Sequence, residues 1–275
     1  MSYDEQLARL RGILASFDAV IVAYSGGADS AFLADVAHEI LGERATAVTA
    51  VSPSLAPAER EAAAALAAAR GWRHREVATF ELERPDYVRN ASDRCYHCKT
   101  ELFETLSGSI AAEPGTTVLV GTNLDDVDDF RPGQAAARER GVRAPLKEAG
   151  LTKEAVRALS RARGLPTWNK PASACLASRI AYGVEVTPER LDRVGRAESH
   201  LRELGFGQLR VRDHGDLARI EVAAGEVDRL VSEPVRSSVA GFLRDLGFTY
   251  VTVDLEGFRS GSMNAVLLEI GRREG

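Results

Sequence analysis

The sequence predicts an α/β protein: a parallel twisted sheet with helices on both faces, followed by a smaller C-terminal α+β domain. Three observations predict it. Short, apolar, β-branched runs alternate with helical patterns from residue 3 to residue 163, and strands buried on both faces by crossover helices read this way. A Gly-rich loop joins the first such run to the helix after it. From residue 187 the pattern restarts with a helix N-cap and then a pair of neighbouring strands.

Residues 3–16 place Leu7, Leu10, Ile13 and Leu14 on one helical face. Residues 19–24 form the first buried strand, and a helix runs from 30 to 41. Strands are expected at 45–51, 72–77 and 117–121, with helices at 57–70 and 99–112. Residues 122–133 read as a polar loop. A helix at 152–163 is capped by Thr152 and stopped near Gly164 and Pro166. Residues 166–186 have little periodicity and read as an active-site loop linking two domains, 1–165 and 187–275. In the second, Thr187-Pro188 supplies an N-cap and a proline at the first helical position. Strands at 208–212 and 217–222, helices at 225–231 and 234–246, and a last strand at 250–254 complete the pattern.

The bulk properties exclude some function classes. The chain has 275 residues, 45% of them apolar and 27% charged, with a formal net charge of -5. An acidic balance argues against broad nucleic-acid binding and leaves room for a local basic pocket. No apolar run approaches the roughly 20 residues that span a bilayer. The acidic first residues contain no apolar signal-peptide core. A cytoplasmic protein without nucleic-acid or membrane partners is the expectation.

The loop Ser25-Gly26-Gly27-Ala28-Asp29-Ser30 stands between a strand and a helix. Glycines let backbone N–H groups close around an anion, and the helix start adds its dipole. Ser25 and Ser30 can donate hydroxyls, and Asp29 can help hold Mg²⁺ on bound phosphates. The Gly-Lys-Ser/Thr of a Walker A loop is missing. A bare strand-to-helix turn is the competing reading, and the flanking serines and Asp29 weigh against it.

Gly121-Thr122-Asn123 ends another predicted strand, on the sheet edge where ligands sit in open α/β folds. Asp125, Asp126, Asp128 and Asp129 follow. They read equally as Mg²⁺ ligands or as a solvated acidic turn. In the second domain Arg210, Arg212 and His214 alternate along a strand and share one face. Two guanidiniums suit a phosphate, and pairing with Glu221 or Asp216 is the alternative. Glu221 and Asp228 are weaker candidates for the same pocket. Trp168 is a packed aromatic or a stacking surface.

Cys95, Cys98 and Cys175 are the three cysteines, too few and too odd in number for a disulfide framework. Cys95-x-x-Cys98 precedes the helix expected at 99–112, and Cys175 lies in the irregular loop. A zinc site lacks two further ligands. Three thiolates suit a [4Fe–4S] cluster with one open iron. A redox pair and inert buried thiols remain alternatives.

Four segments together resemble a known family. They are Tyr24-SGGADS-Ala31, Arg94-Cys-Tyr-His-Cys-Lys99, Gly121-Thr-Asn-Leu-Asp-Asp126 with Arg131-Pro-Gly133, and Lys170-Pro-Ala-Ser-Ala-Cys175-Leu-Ala-Ser-Arg179. SGGADS resembles the PP-loop of the ATP pyrophosphatases, which have an adenine nucleotide alpha hydrolase-like fold. The whole chain resembles the LarE sulfur transferases within that superfamily. The resemblance implies cleavage of ATP to AMP and pyrophosphate, with adenylation of pyridinium-3,5-biscarboxylic acid mononucleotide and its conversion to a thiocarboxylate for the nickel-pincer nucleotide. It implies nucleotide contacts at Ser25, Gly26, Gly27, Asp29, Ser30, Gly121 and Asn123. Ser178, Arg179, Arg210 and Arg212 are implied near the substrate, the last two on its phosphate. Cys95, Cys98 and Cys175 are implied to hold a [4Fe–4S] cluster, whereas members with only the last cysteine give up its own sulfur. A homo-oligomer is also implied, since related proteins form hexamers. Other PP-loop chemistry, tRNA thiolation or amidation, is the nearest enzymatic alternative, and a non-catalytic nucleotide sensor the nearest non-enzymatic one.

Overall fold

The computed structural model describes residues 1–109, 115–127, 132–171, 174–259 and 262–264. Helix α1 (Tyr3–Ala15) starts at a capping box. Ser2 Oγ accepts from the Glu5 amide at 3.3 Å, and Glu5 Oε2 accepts from the Ser2 amide at 2.7 Å, so two donors that a helix start leaves open are satisfied. There follow β1 (Ala19–Ala23), α2 (Ala28–Leu41), β2 (Ala45–Val51), α3 (Pro57–Ala69), β3 (His74–Ala78), α4 (Pro85–Val88), α5 (Arg94–Ser109), β4 (Thr116–Leu119), α6 (Pro132–Glu139), α7 (Pro145–Glu148) and α8 (Lys153–Ala162). The remainder is α9 (Pro188–Glu203), β5 (Leu209–Asp213), β6 (Leu217–Val222), α10 (Val227–Val231), α11 (Val235–Asp245) and β7 (Tyr250–Val253), with short 3-10 turns between elements.

The chain divides into two units. The first comprises Met1–Glu81 and Cys95–Ser173, the second Leu82–Arg94 and Ala174–Gly275. In the first unit the strands run in the order β3-β2-β1-β4, and all neighbours are parallel. Successive side chains of β1 point to opposite faces. Val20 and Val22 enter a core with Leu10, Leu14, Phe32, Leu33 and Val156. Ile21 enters another with Phe103, Leu106 and Val118. Each such side chain contributes about 1.5–3 kcal/mol when removed from water, which explains the apolar runs without alternation. Helix α2 is buried along most of its length. Its Asp35 accepts two hydrogen bonds from Arg70, at 3.0 and 2.7 Å, and one from Arg163 Nε at 2.5 Å. That shared carboxylate ties the end of α8 to α2. Thr152 Oγ1 accepts from the Ala155 amide at 3.2 Å and caps the start of α8.

Three local features depart from the sequence expectations. Helix α5 begins at Arg94, five residues ahead of the expected 99, so Cys95 and Cys98 lie inside the helix rather than before it. The breaker is Asn90, whose φ is +57°, and no proline or glycine stands between it and Lys99 to delay the helix. Trp72 lies outside β3, buried at the edge of Tyr24 with ring centroids 5.5 Å apart. Within residues 122–150, Leu124–Val127 forms a 3-10 turn and α6 and α7 follow, elements that their weak periodicity did not announce.

In the second unit the sheet order is β5-β6-β7. β5 and β6 are antiparallel, and β7 joins β6 in parallel. Phe206, Val211, Ile220, Leu243 and Phe248 are in its core. Thr187 Oγ1 accepts from the Arg190 amide at 3.3 Å at the head of α9. Residues 82–94 belong here because the buried Asn90 donates from Nδ2 to the carbonyls of Ala181 and Val184, at 2.8 and 2.7 Å. Among the described residues no helix is long and apolar enough to cross a membrane.

Candidate functional site

In the first unit the Gly-rich loop leaves β1 at the C-terminal edge of the sheet and ends in α2, whose N-cap is Gly27. Gly26 has φ +71°, a region open to glycine and costly for other residues. Ser30 Oγ closes the loop on itself. It accepts from the Ser25 amide at 3.2 Å, lies 3.1 Å from Ser25 Oγ, and donates to the Gly27 carbonyl at 3.2 Å. The two serines therefore brace the loop and keep its glycine backbone close to the head of α2. That is the geometry of an anion cradle at a helix start.

The 121–126 segment is brought to the same place. A Cβ on Gly121 would stand 2.8 Å from the Ser30 amide nitrogen, so only glycine lets the end of β4 approach α2 this closely. Asn123 is buried, and its Nδ2 donates to Asp29 Oδ1 at 3.3 Å. Asp29 Oδ2 carries an ion pair with Lys153 Nζ. Asp125 Oδ2 accepts from the Lys153 amide at 2.8 Å, and Asp126 Oδ2 accepts from the Asn123 amide at 3.0 Å. Each of those two carboxylates thus has an oxygen committed to backbone. Asp128 and Asp129 lie outside the described residues, as does Arg131. Lys170 Nζ donates to the Gly26 carbonyl at 3.0 Å and pairs with Glu59 at 2.7 Å.

Cys95 and Cys98 stand one turn apart on α5 and therefore on one side of it. Cys95 is exposed and Cys98 half-buried. The start of α6 runs against them: a Cβ on Gly133 would stand 2.7 Å from Lys99 Cγ and 3.3 Å from the Cys95 carbonyl oxygen. Two thiols so placed suit adjacent positions on one metal cluster. The third, Cys175, belongs to the second unit and is exposed. Among the described residues no group of three or more Cys, His, Asp or Glu side chains is gathered as a metal site.

In the second unit Cys175 opens the 3-10 turn Leu176–Arg179. Its carbonyl accepts from Ser178 Oγ at 2.7 Å and from Arg179 Nη1 at 3.0 Å. Arg179 also donates from Nε to Glu198 Oε1 at 2.9 Å, and both side chains are buried. Arg212 pairs with Glu221 and reaches the Ser178 carbonyl at 3.2 Å. Arg219 shares Glu221 at 3.0 Å. Arg210 differs. Among the described residues it has no carboxylate partner, and its guanidinium rests 5.1 Å over the Phe258 ring and donates to the Leu209 carbonyl. Burial, with the nearby charges of Arg179 and Arg212, lowers its pKa to about 10. A cation held this way gains most from an arriving anion. His214 has left the strand, which ends at Asp213, and its pKa is lowered by burial and by Arg219. Asp228 stands exposed on α10 and takes no part in this network among the described residues. Trp168 is half-buried under Arg161, 4.9 Å from its ring centroid.

Over 263 residues the chain is 39% identical to the pyridinium-3,5-bisthiocarboxylic acid mononucleotide synthase of Lactiplantibacillus plantarum, covering 94% of each protein. The chain belongs to the LarE family. An uncharacterised protein of Synechocystis is 46% identical over 264 residues, 96% of this chain and 98% of that protein. Another from Methanocaldococcus jannaschii is 28% identical over 241 residues, 88% of this chain and 91% of that protein. No family model matches. LarE membership makes the chain an enzyme, a sulfur transferase, and leaves the nucleotide sensor and the tRNA-directed or amidating PP-loop enzymes without support.

Within this LarE chain the structure brings Ser25, Gly26, Gly27, Asp29, Ser30, Gly121 and Asn123 together at the head of α2. It brings Ser178, Arg179, Arg210, Arg212 and Glu221 together beside Cys175 in the second unit. Sequence reasoning passed over Lys153, Lys170 and Glu198. Lys170 was within reach, because it heads the segment that contains Cys175. Glu198 looked like one more polar helix residue, and only its burial singles it out.

Proposed function

We propose that this chain converts a carboxylate of pyridinium-3,5-biscarboxylic acid mononucleotide to a thiocarboxylate, with ATP as the activating substrate, in nickel-pincer nucleotide biosynthesis. The near full-length relation to the Lactiplantibacillus synthase carries the reading. The braced glycine loop at the head of α2 supports the ATP part of it.

ATP phosphates lie on the backbone donors of residues 25–30, with Gly121 and Asn123 closing the site. Asp29 is the residue that would hold Mg²⁺, whose charge stabilises the phosphates as they separate. A carboxylate oxygen of the substrate attacks the α-phosphorus, the bond to the bridging oxygen breaks, and pyrophosphate leaves with the electron pair. The loop amides receive the charge that develops. A sulfur nucleophile then attacks the acyl carbon, AMP departs, and a thiocarboxylate remains. The substrate phosphate docks on Arg210 and Arg212, with Ser178 and Arg179 beside it. Glu198 and Glu221 orient the arginines they bind, and Arg210 has no directly bonded carboxylate among the described residues.

Cys95, Cys98 and Cys175 would hold a [4Fe–4S] cluster, which supplies sulfide at its open iron when bound. One observation favours a second route for the sulfur. Cys175 is exposed, and its carbonyl is bound by Arg179, which places the residue next to the arginine group that would receive the substrate. In sacrificial donation the Cys175 sulfur bonds to the acyl carbon and expels AMP, and its Cβ–S bond then breaks as the Cα proton is removed, leaving the thiocarboxylate and a dehydroalanine. A homo-oligomer is part of the proposal.

Anaerobic reconstitution with iron and sulfide tests the choice. The cluster route expects about four irons per chain and no turnover in Cys95→Ala. One turnover by Cys95→Ala, with Cys175 lighter by one H₂S, establishes the sacrificial route. Pyrophosphate release without dependence on the pyridinium nucleotide would overturn the activity itself.

A further inference from the structure

The phosphate loop of this chain contains no cation, and it carries a carboxylate. Asp29 sits in the first turn of α2, where the loop amides converge. A polyphosphate arriving there meets a like charge, and a cation from elsewhere in the fold would offset it when no metal is bound. Two lysines touch the loop among the described residues. Lys170 reaches the Gly26 carbonyl, and Glu59, outside the loop, already balances its charge. Lys153 pairs with Asp29 itself and with no other carboxylate among the described residues.

Lys153 is also fixed where such a group is needed. It is the first residue of α8. Its amide donates to Asp125 Oδ2 at 2.8 Å, and the Leu124 amide donates to the Leu151 carbonyl at 2.8 Å. The segment that ends β4 is therefore bound to the head of α8. The far end of α8 is anchored through Arg163 to Asp35 of α2. Asp29 is shared between Asn123 of that segment and Lys153. About a third of the lysine side chain is accessible, so the ammonium can leave one oxygen for another without unpacking the helix.

We infer that Lys153 is the phosphate-binding cation of the nucleotide site, with Asp29 as the carboxylate it exchanges for the β- and γ-phosphates of ATP. The exchange frees Asp29 Oδ2 toward a divalent cation and places an ammonium on the leaving pyrophosphate. When the α-phosphorus is attacked and its bond to the bridging oxygen breaks, the electron pair goes to pyrophosphate, and Lys153 stabilises that charge without transferring a proton. Lys153 does the work of the lysine inside a Walker A loop, and it comes from a helix 124 residues further on. The inference rests on the proposed ATP site.

Binding of ATP and of AMP, both without Mg²⁺, separates the possibilities. Lys153→Met should weaken ATP binding by about tenfold or more, the scale of a lost charge-assisted hydrogen bond. AMP, which lacks the β- and γ-phosphates, should bind within about twofold of wild type, the bound set by losing no such bond. Lys153→Arg should restore most of the ATP affinity. Asp29→Asn should tighten metal-free ATP by leaving Lys153 without its counterion, and the double variant should lose that gain. Equal weakening of ATP and AMP, unchanged ATP binding in Lys153→Met, or a gain that persists in the double variant overturns the inference. Wild-type protein that binds neither nucleotide overturns the ATP site as well.

Discussion

Arg212 and Glu221 form a two-point ion pair on adjacent strands, with Nε to Oε1 at 3.0 Å and Nη2 to Oε2 at 2.8 Å. Both side chains are buried. The pair is part of a larger set, since Glu221 Oε1 also accepts from Arg219 and from Ser262 Oγ. The sequence left two roles open for Arg212, binding a phosphate or pairing with Glu221. The structure shows the pairing, which fixes the orientation of the guanidinium. A guanidinium fixed on two carboxylate oxygens keeps Nη1 on the Ser178 carbonyl, and so holds the turn that carries Cys175.

Removing Glu221 takes the carboxylate from buried Arg212 and leaves Arg219 its longer pair with Asp254 at 3.6 Å. Glu221→Gln should lower the unfolding free energy by about 3–5 kcal/mol, the range for breaking one partner of a buried ion pair. Replacing Arg212 and Glu221 together by Met and Leu should cost clearly less than the sum of the single changes. Urea unfolding of the four proteins measures the coupling, and additive costs would show the pair to be incidental.

Glu198 gives the fold an acid-sensitive joint. Burial raises its pKa, but hydrogen bonding and charge from Arg179, with help from Arg210 and Arg202, leave it below the ordinary 4.5. A carboxyl whose folded pKa lies below its unfolded value contributes stability that is complete above the unfolded value. It is lost as pH falls through the lowered one. Stability should thus decline below about pH 4.5 in wild type. Glu198→Gln should be weaker at neutral pH and flatter over that acid range. Unfolding curves collected from pH 7 to pH 3 in both proteins check the sign.

The parallel sheet was legible because burial on two faces leaves short runs of small and β-branched residues, as at Val20–Val22 and Ala45–Val48. The Gly-rich loop was legible because glycine is demanded by backbone conformation at Gly26 and by contact at Gly121. The start of α5 was not, since the decisive breaker is the left-handed Asn90 rather than a glycine or proline. Neither was the partnership of Lys153 with Asp29. Local pattern carries no information about a contact made across 124 residues, and a helix start is an ordinary place for a lysine. Sequence also could not say which arginine is bonded to a carboxylate, because Arg210 and Arg212 occupy the same face and differ only in what the neighbouring strand and helix offer them.

Arg210 should separate function from stability. Its pKa of about 10 records a charge that the fold disfavours through burial and through neighbouring arginines. Arg210→Met removes that charge and keeps the apolar contact with Phe258. The variant should melt at the same temperature as wild type or higher, while KM for the pyridinium nucleotide rises by about tenfold or more, the loss expected from one charge-assisted phosphate contact. Inorganic phosphate should raise the melting temperature of wild type and leave that of the variant unmoved. A variant that melts lower with KM unchanged would assign Arg210 to the fold alone.

Gly121 is the tightest glycine of the proposed nucleotide site. A methyl group there would press on the Ser30 amide at 2.8 Å and on Asp29 carbonyl carbon at 3.0 Å, which are backbone atoms in the first turn of α2 and cannot swing aside. Either β4 or the helix start must shift, at a cost of about 1–3 kcal/mol for overpacking. The same shift opens the loop that Ser25 and Ser30 brace. Gly121→Ala should therefore lose ATP binding by more than its stability loss explains. Gly71→Ala supplies the comparison, since its φ of +66° strains an added Cβ while nothing stands within 4 Å of it. It should lose stability and keep ATP affinity. Calorimetric titration of both variants with ATP, at a temperature well below either melting point, reads the difference directly.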